Sequence, residues 1–531
     1  SYALPGWDNS SGEWKYNNAQ EESMTNVWRQ SGPRWYYLGS DGKLLKDSLL
    51  SWQNDTYYLD KDGVMAVNQW VHISGEQSSD QGSFAEGWYY FGPTGKSYRK
   101  TGDKFKKIID GKSYVFNEDG VMLTGWLDEN GGIVDDDDPF VQGVYYGGDD
   151  GALVTDGWYH YADKLVPFTG SDTKSQLVDR DYYQYKDMWF YFDEKGKKVA
   201  STDGKIKEKT VKGITYGFDE NGVMDPWWGS VASVSTLRRS NPTSDVPVKF
   251  YSGYNGGELF KDRWFWMYPS EQLDEQDYQD QESSWWRAGS NGKVLRNKIF
   301  NINGKRYAFD GIGRMKTGFV LFDKRREFVA QYDVDSWESE NFINGDLYGI
   351  EKADLYLFSP DEINDGSMQS GKEITVELAD GPRTFAFSSS GRAYGNRNIL
   401  QKRDNKFYIN GLRLDAPEDA GYGIVIQNIG TLGTPQYRFF VVDKNGKIVS
   451  GRRVLNTGEG YILVYNGQFI GFSGDEDAPR WRNSGSAGAG FYHYDRSERN
   501  HFARGLIAGP NTTVTKNDVP DDLALFIADP N

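Results

Sequence analysis

Cysteine is absent from all 531 residues, which excludes disulfide staples and thiolate metal sites without excluding secretion. No apolar run is long enough to span a bilayer, so membrane insertion is not expected. The N-terminus lacks the charged-then-apolar layout of a leader; two histories fit Ser1, a removed signal peptide, which we favour, or a lost initiator methionine. Histidine is scarce: His72, His160, His493 and His501 stand far apart, without metal-ligand spacing. The last two share FYHYDRSERNHFARG with Asp495, Glu498 and Arg504, a segment that matches no nucleophile or zinc arrangement and reads as an exposed loop. Long basic runs are also missing. With 60 Lys and Arg against 77 Asp and Glu the net charge is -17, which argues against a nucleic-acid partner and favours solubility. Carboxylates are so abundant that a close pair carries no glycosidase signal. No catalytic segment is recognisable, and the chain reads as non-catalytic.

Aliphatic residues are too few for one large globular core, since hydrophobic residues make up 37% of the chain and aromatic ones alone 15%. The aromatics are instead periodic. Twelve times an aromatic-rich triplet is followed, seven residues from its first position, by a glycine. The copies begin at Trp35, Thr56, Trp88, Ser113, Val144, Trp189, Thr215, Phe250, Trp285, Arg306, Thr384 and Phe439. Aromatic side chains suit a half-buried strand, and the Asp, Asn, Ser and Gly cluster after them supplies a turn with positive φ at its glycine. Two residues past the glycine an apolar side chain begins the return strand, as Leu44, Met65, Met122, Met224 and Met315 do. Each copy therefore reads as a β-hairpin, and those methionines read as core. Lone hairpins are marginal in water, so the units must stack. The expected fold is all-β, a repetitive solenoid of stacked aromatic-rich hairpins with a more divergent β-rich C-terminal region.

Short copies, with leads such as INGK before Arg306, alternate with copies that carry long acidic interruptions: Trp70 to Trp88, Trp126 to Tyr145, Trp158 to Trp189 and Trp264 to Trp286. The run Asp135 to Asp138 lies in one of them, and DKDG at Asp60 to Gly63 looks like the start of a calcium loop. Neither has the distal bidentate glutamate of an EF-hand. DKDG is better explained as the hairpin turn, and a solvated acidic loop is preferred for Asp135 to Asp138 over a weak calcium site; no cofactor is expected otherwise.

WRQSGPRWYYLGSDGKL, from Trp28 to Leu44, resembles the choline-binding and cell-wall-binding repeat family of Gram-positive bacteria, which is similar to glucan-binding repeats and to the receptor-binding repeats of clostridial toxins. INGKRYAFDGIGRMKTGF, from Ile302 to Phe319, looks most like the toxin type. The resemblance runs from about Trp28 to Phe322, with LYLFSPDEINDGSMQSGK and FFVVDKNGKIVSG as degenerate members beyond it. It implies stacked hairpins attached noncovalently to the cell wall or displayed at the cell surface, outside the cell. It also implies ligands held between consecutive hairpins by two or three aromatic rings and a methionine or leucine. A quaternary ammonium gains about 0.5 to 2 kcal/mol per favourable ring. The best candidate cage is Trp28 with Trp35 and Tyr36, completed by Trp52 and Tyr57 of the next hairpin. Weaker pairs are Trp70 with Trp88, Trp126 with Tyr145, Trp158 with Trp189, and Trp264 with Trp286.

Three regions are expected: an N-terminal segment or cap at 1–27 without a repeat, hairpin repeats at 28–322, and degenerate repeats in a β-rich region at 323–531. The final apolar strand, Leu523 to Ile527, reads as one that a neighbouring subunit could accept, giving a fibre. Two functions from different classes follow. The chain is a surface protein binding cell-wall polymer or glycan, which we favour. The alternative is a self-assembling filament or coat subunit, a homo-oligomer, with a phage receptor-binding protein sharing the same physics.

Overall fold

A computed structural model describes residues 5–136, 138–161, 188–224, 227–229, 248–251, 256–360, 365–431, 433–483, 489–494, 499–502 and 514–527. The chain divides into two units, one of residues 1–232 with 249–260 and the other of 233–248 with 261–531.

The first unit is a succession of antiparallel hairpins: Gly6–Asp8 with Lys15–Asn17, Val27–Ser31 with Arg34–Leu38, Ser48–Trp52 with Asp55–Leu59, and Gln69–Ile73 with Gly87–Phe91. It continues with Lys106–Ile109 and Lys112–Phe116, Gly125–Leu127 and Tyr145–Gly147, Gly157–Tyr161 and Met188–Phe192, then Lys207–Val211 and Ile214–Phe218. The aromatic triplets form the second strand of each hairpin, as their β propensity requires. The long interruptions lie between paired strands and leave the pairing intact, so His72 still faces Trp88 and His160 still faces Trp189.

Many of the turns are closed by a side chain. Asp60 Oδ1 accepts the backbone N–H groups of Asp62 and Val64 at 2.8 and 2.9 Å, and Asn117, Asp193, Asp219, Asp310 and Asp443 do the same for the residues two and four positions on. DKDG is thus a turn, its first carboxylate engaged in local capping. The residue two past the turn glycine then bridges back to its own hairpin, Leu59 with Met65 and Phe218 with Met224. Its N–H also reaches the preceding part of the stack: Met65 donates to Trp35 O at 2.8 Å, Ser97 to Thr56 O at 2.8 Å, and Met224 to Trp189 O at 2.8 Å.

The turn glycine meets two demands at once. Gly63 has φ of 79° and lies so close to the preceding repeat that a Cβ there would sit 2.7 Å from Leu44 Cδ2. Gly257 stands in the same relation to Met224, again at 2.7 Å.

Three expectations are corrected. The segment before Asn26 forms a hairpin, with Asn18 Oδ1 accepting from Gln20 and Glu22 and with Glu21, at φ 69°, standing where the other turns have glycine. The segment around His493 and His501 is paired strand, Gly490–Tyr494 against Arg499–Phe502, with the two histidines in register; Asp495, Glu498 and Arg504 lie outside the described residues. The final strand, Ala524–Ile527, pairs in parallel with Tyr422–Asn428 of its own chain as an edge strand of a three-stranded sheet, so one of its edges is engaged internally. Asp137, residues 252–255 of the Phe250 copy, 162–187 of the Trp158 interruption and 361–364 also lie outside the described residues.

The second unit begins with hairpins of the same kind, Arg263–Met267 with Ser284–Ala288 and Ile299–Ile302 with Lys305–Phe309, the latter extended by Met315–Lys316. Sheets then widen. Phe328–Tyr332, Gly318–Asp323, Ala353–Phe358 and Met368–Gln369 form one of four strands, and Gly371–Leu378 starts one of five. Their cores are richer in aliphatic residues, with Leu321, Ile350, Leu355 and Leu412 buried around Phe319 and Phe385 in one cluster and Ile424, Ile426, Val441 and Ile462 in another.

Gly63→Ala should destabilise the protein by about 2 kcal/mol, since it adds a methyl to an occupied space in a left-handed backbone. Glu21→Gly should stabilise it by up to about 1 kcal/mol, as glycine relieves the backbone cost of that conformation. Urea unfolding followed by tryptophan fluorescence checks both, and equal effects of opposite sign to these would contradict the account of the turns.

Candidate functional site

Strand register decides which aromatic rings can meet. Trp28 pairs with Tyr37 and Gln30 with Trp35, so these four side chains share one face and Tyr36 takes the other. The Trp28 ring meets Tyr37 at 5.2 Å, Tyr57 at 5.1 Å and Trp52 at 6.2 Å, all edge-on, and Met65 packs against the same cluster. Trp35 is 39% exposed and stands beside this cluster without joining its ring contacts, while its carbonyl accepts the Met65 N–H. Tyr36 packs on Trp7 at 5.5 Å. The expected cage is therefore corrected at one position: Trp28, Trp52 and Tyr57 come together, Trp35 shares their face, and Tyr36 does not. Tyr37 and Met65 join instead.

The same arrangement recurs where the sequence spacing is interrupted. Trp70 meets Trp88 at 6.5 Å, Tyr90 at 5.1 Å and Tyr114 of the next hairpin at 4.8 Å, and lies nearly parallel to Phe116 at 5.8 Å. Trp158 meets Trp189 at 6.2 Å, Tyr191 at 5.1 Å and Tyr216 at 4.8 Å, and lies nearly parallel to Phe218 at 5.8 Å. Met122 packs in the first of these clusters and Met224 in the second. The methionines read as core thus also line the aromatic clusters. Trp35, Trp88 and Trp189 occupy equivalent positions and are 39%, 45% and 37% exposed, so each presents part of its indole to solvent beside a cluster.

His72 and His160 are equivalent as well. Each sits two residues past the inner tryptophan and lies against the outer one, His72 on Trp88 at 4.9 Å and His160 on Trp189 at 4.2 Å. Their separation in sequence concealed that equivalence, which the common offset from Trp70 and Trp158 could have revealed.

Trp126 with Tyr145 is not a cage. Trp126 pairs with Tyr146, and Tyr145 turns to the other face, where it meets Phe105 at 5.8 Å and carries Lys106 Nζ over its ring at 4.2 Å. Trp126 is buried among Tyr146, Tyr159 and Phe190. Its cation is internal: Lys198 Nζ lies 5.6 Å from the Trp126 ring centre and donates to Phe140 O. Lys198 holds the position two past a turn glycine that methionine holds elsewhere, and burial pulls its pKa down to about 8.

A fourth cluster opens the second unit. Trp264 meets Tyr307 at 4.9 Å and Phe309 at 5.8 Å, with Met315 beside them. Its expected partner, Trp286, is wholly buried on the opposite face and donates Nε1–H to Met267 O. Trp266 and Trp285 pair instead, 5.3 Å apart, and line with Trp264 a cavity of about 610 Å³ that Thr317, Ser359 and Asp365 also border. Arg287, in register with Trp264, holds its guanidinium 5.8 Å from that ring where the other clusters have Tyr37, Tyr90 and Tyr191.

Burial raises Tyr37, Tyr57, Tyr90 and Tyr191 above their ordinary range, and burial followed by the Asp365 carboxylate takes Tyr307 to about 12. Among the described residues no cluster of side chains could hold a metal ion.

Residues 24–70 match the family model of the choline-binding repeat, overlapping the stretch where the sequence resemblance is seen. Glucosyltransferase-S of Streptococcus mutans serotype c is 25% identical over 310 residues, which are 56% of this chain and 18% of that protein. The chain thus spans less than a fifth of the length of this curated relative. Among solved structures, choline binding protein F of Streptococcus pneumoniae aligns with 17% identity and a TM-score of 0.32 over 70% of this chain and 99% of that one. The modular autolysin of the same species, in complex with a synthetic peptidoglycan ligand, aligns with 17% identity and a TM-score of 0.30 over 60% of this chain and 51% of that one.

Lys198→Met should stabilise the protein at pH 7 by about 3 kcal/mol at most, the equivalent of lowering an ammonium by two to three pKa units. The sign follows from linkage. The folded pKa lies below the unfolded one, so the cost of burying the charge is full below about pH 8 and disappears as pH rises toward 10.5. The stability difference between the variant and the parent should accordingly shrink across that window, measured by urea unfolding at each pH; a constant difference would contradict the assignment.

Proposed function

We propose that this chain is a non-catalytic binding module of the bacterial cell surface, which holds choline-type quaternary ammonium groups of a wall polymer in three cages. The cages are built on Trp28, Trp70 and Trp158. The observation that carries the reading is the recurrence of one chemistry at one geometry. In each, a half-buried indole meets a tyrosine of the next hairpin, at ring separations of 5.1, 4.8 and 4.8 Å, with a methionine packed alongside and an equivalent exposed indole on the same strand face. Electron-rich π faces of indole and phenol suit a permanent cation. The match of residues 24–70 to the choline-binding repeat supports the same ligand at the first cage.

One cage of this kind is weak. Two or three ring contacts and the burial of methyl groups give about 4 kcal/mol net, a dissociation constant on the order of 1 mM. A polymer bearing many such groups engages the cages together, and linkage raises apparent affinity by about 10² to 10⁴. The net charge of -17 adds a long-range pull on cationic groups.

A second reading applies to the fourth cluster. Arg287 already presents a cation to Trp264, which disfavours another there, and the cavity pairs three indoles with a hydroxyl and carboxylate border. Flat apolar faces with hydrogen-bonding groups at their edge suit a sugar ring, so a glycan portion of the polymer is the ligand assigned to it. The filament reading rested on the final strand, which pairs along one edge within its own chain.

Titration of tryptophan fluorescence with choline should give a saturable change, with Trp88→Ala and Tyr114→Ala each weakening retention on a choline-bearing resin several-fold. A response identical to that of sodium chloride at equal ionic strength would overturn the reading.

A further inference from the structure

A second kind of cavity lies within the second unit, lined by none of the cluster tryptophans and opposite in charge to the chain as a whole. It measures about 820 Å³ and is lined by six cationic side chains, Lys298, Arg306, Lys324, Arg326, Arg392 and Arg397, against two carboxylates, Asp323 and Asp354. The chain carries 77 acidic and 60 basic residues, so a surface drawn at random would be acid-rich. Here the balance is six to two.

Neither carboxylate is available to neutralise the cavity further. Asp323 Oδ1 accepts the backbone N–H groups of Arg325 and Glu327 at 2.8 and 3.0 Å and closes a turn. Asp354 is 6% exposed and is shared by Arg397 at 2.9 Å, Arg392 at 3.5 Å and the Asn396 amide at 2.8 Å. Arg306 is held by donation to the carbonyls of Ser389 and Ser390 at 2.9 and 3.1 Å, contacts that fix its direction and leave its charge unbalanced. Lys298, Lys324 and Arg326 are exposed and have no carboxylate within ion-pair distance among the described residues. The clustering registers on Tyr356, a phenol in the wall. Burial, then Asp354, push its pKa up, while Arg392, Arg326 and Arg306 act in the opposite direction, so three guanidiniums lie within electrostatic reach of one hydroxyl.

Like charges gathered in a concave surface repel, and the arrangement is relieved by an anion. A guanidinium already oriented by backbone carbonyls, as that of Arg306 is, suits the tetrahedral, multiply charged oxygens of a phosphate, and flexible lysines at the rim supply point charges. We propose that this cavity is a binding site for a phosphate group, presented either as a free phosphate or within a phosphodiester polymer. It is separate in residues and in chemistry from the aromatic cages and does not depend on them.

The full chain, titrated calorimetrically with inorganic phosphate and with sodium chloride at matched ionic strength, tests the assignment. Phosphate should bind saturably and raise the unfolding temperature where chloride does not. The double variant Lys298→Gln, Lys324→Gln should bind phosphate at least about tenfold more weakly, since it removes two of the unpaired charges. Lys324→Arg, which keeps the charge, and Lys447→Gln, an exposed lysine elsewhere in the unit, should bind as the parent does. A soluble phosphodiester polymer that binds more tightly than inorganic phosphate, again dependent on Lys298 and Lys324, identifies the polymer as the source; equal binding identifies free phosphate. Indistinguishable effects of phosphate and chloride, or unchanged phosphate binding in the double variant, would overturn the proposal.

Discussion

One hydrogen bond organises the repeat: the N–H two residues past each turn glycine, donated to a carbonyl earlier in the stack. Met65 to Trp35 and Met224 to Trp189 are its clearest instances. The bond closes the return of one hairpin and docks it on another in the same step. It also forces the return side chain down toward the next turn, where only glycine leaves room, as Leu44 against Gly63 and Met224 against Gly257 demonstrate. Stacking and turn composition are thus one constraint. A solenoid with so few aliphatic residues depends on it, because each unit buries too little on its own.

The aromatic clusters are a by-product of that docking. The carbonyls of Trp35 and Trp189 accept the N–H of the methionines that pack beneath, so the bond that fixes hairpin on hairpin also sets a thioether near an exposed indole. Alternation along the strand then places the inner tryptophan and its cross-strand tyrosine on the same face. Trp126 shows the limiting case. With Lys198 at the methionine position, an ammonium of the chain itself occupies the aromatic surroundings, at the cost of a pKa brought down to about 8. At this cluster the fold accommodates a cation of its own chain against the rings.

Much of this was legible in the sequence, for a physical reason: the turn glycine is dictated by backbone sign and by contact, so its spacing survives where other residues drift. The limits have equally specific causes. Glu21 and Arg326 take the left-handed turn position at φ 69° and 64° without being glycine, and the hairpin at Gly6–Asp8 was hidden by that alone. Tyr36 and Tyr145 were assigned to the wrong face because sequence adjacency suggested contact where strand alternation forbids it. Trp70 with Trp88 and Trp158 with Trp189 were undervalued because long interruptions obscured a register that pairing preserves. The parallel partnership of Ala524–Ile527 with Tyr422–Asn428 joins segments about a hundred residues apart, and no local pattern reports such a contact.

The central claim is that the clusters on Trp28, Trp70 and Trp158 are open to a quaternary ammonium and that the one on Trp126 is already filled. A crystal structure of the chain determined at saturating choline tests it most directly. The account requires one choline between the indoles and tyrosine of each of the three cages, and none at Trp126, where Lys198 remains in place. Rings closed on one another with no ligand in any of the three, or choline seated on Trp126 with Lys198 displaced, would contradict it.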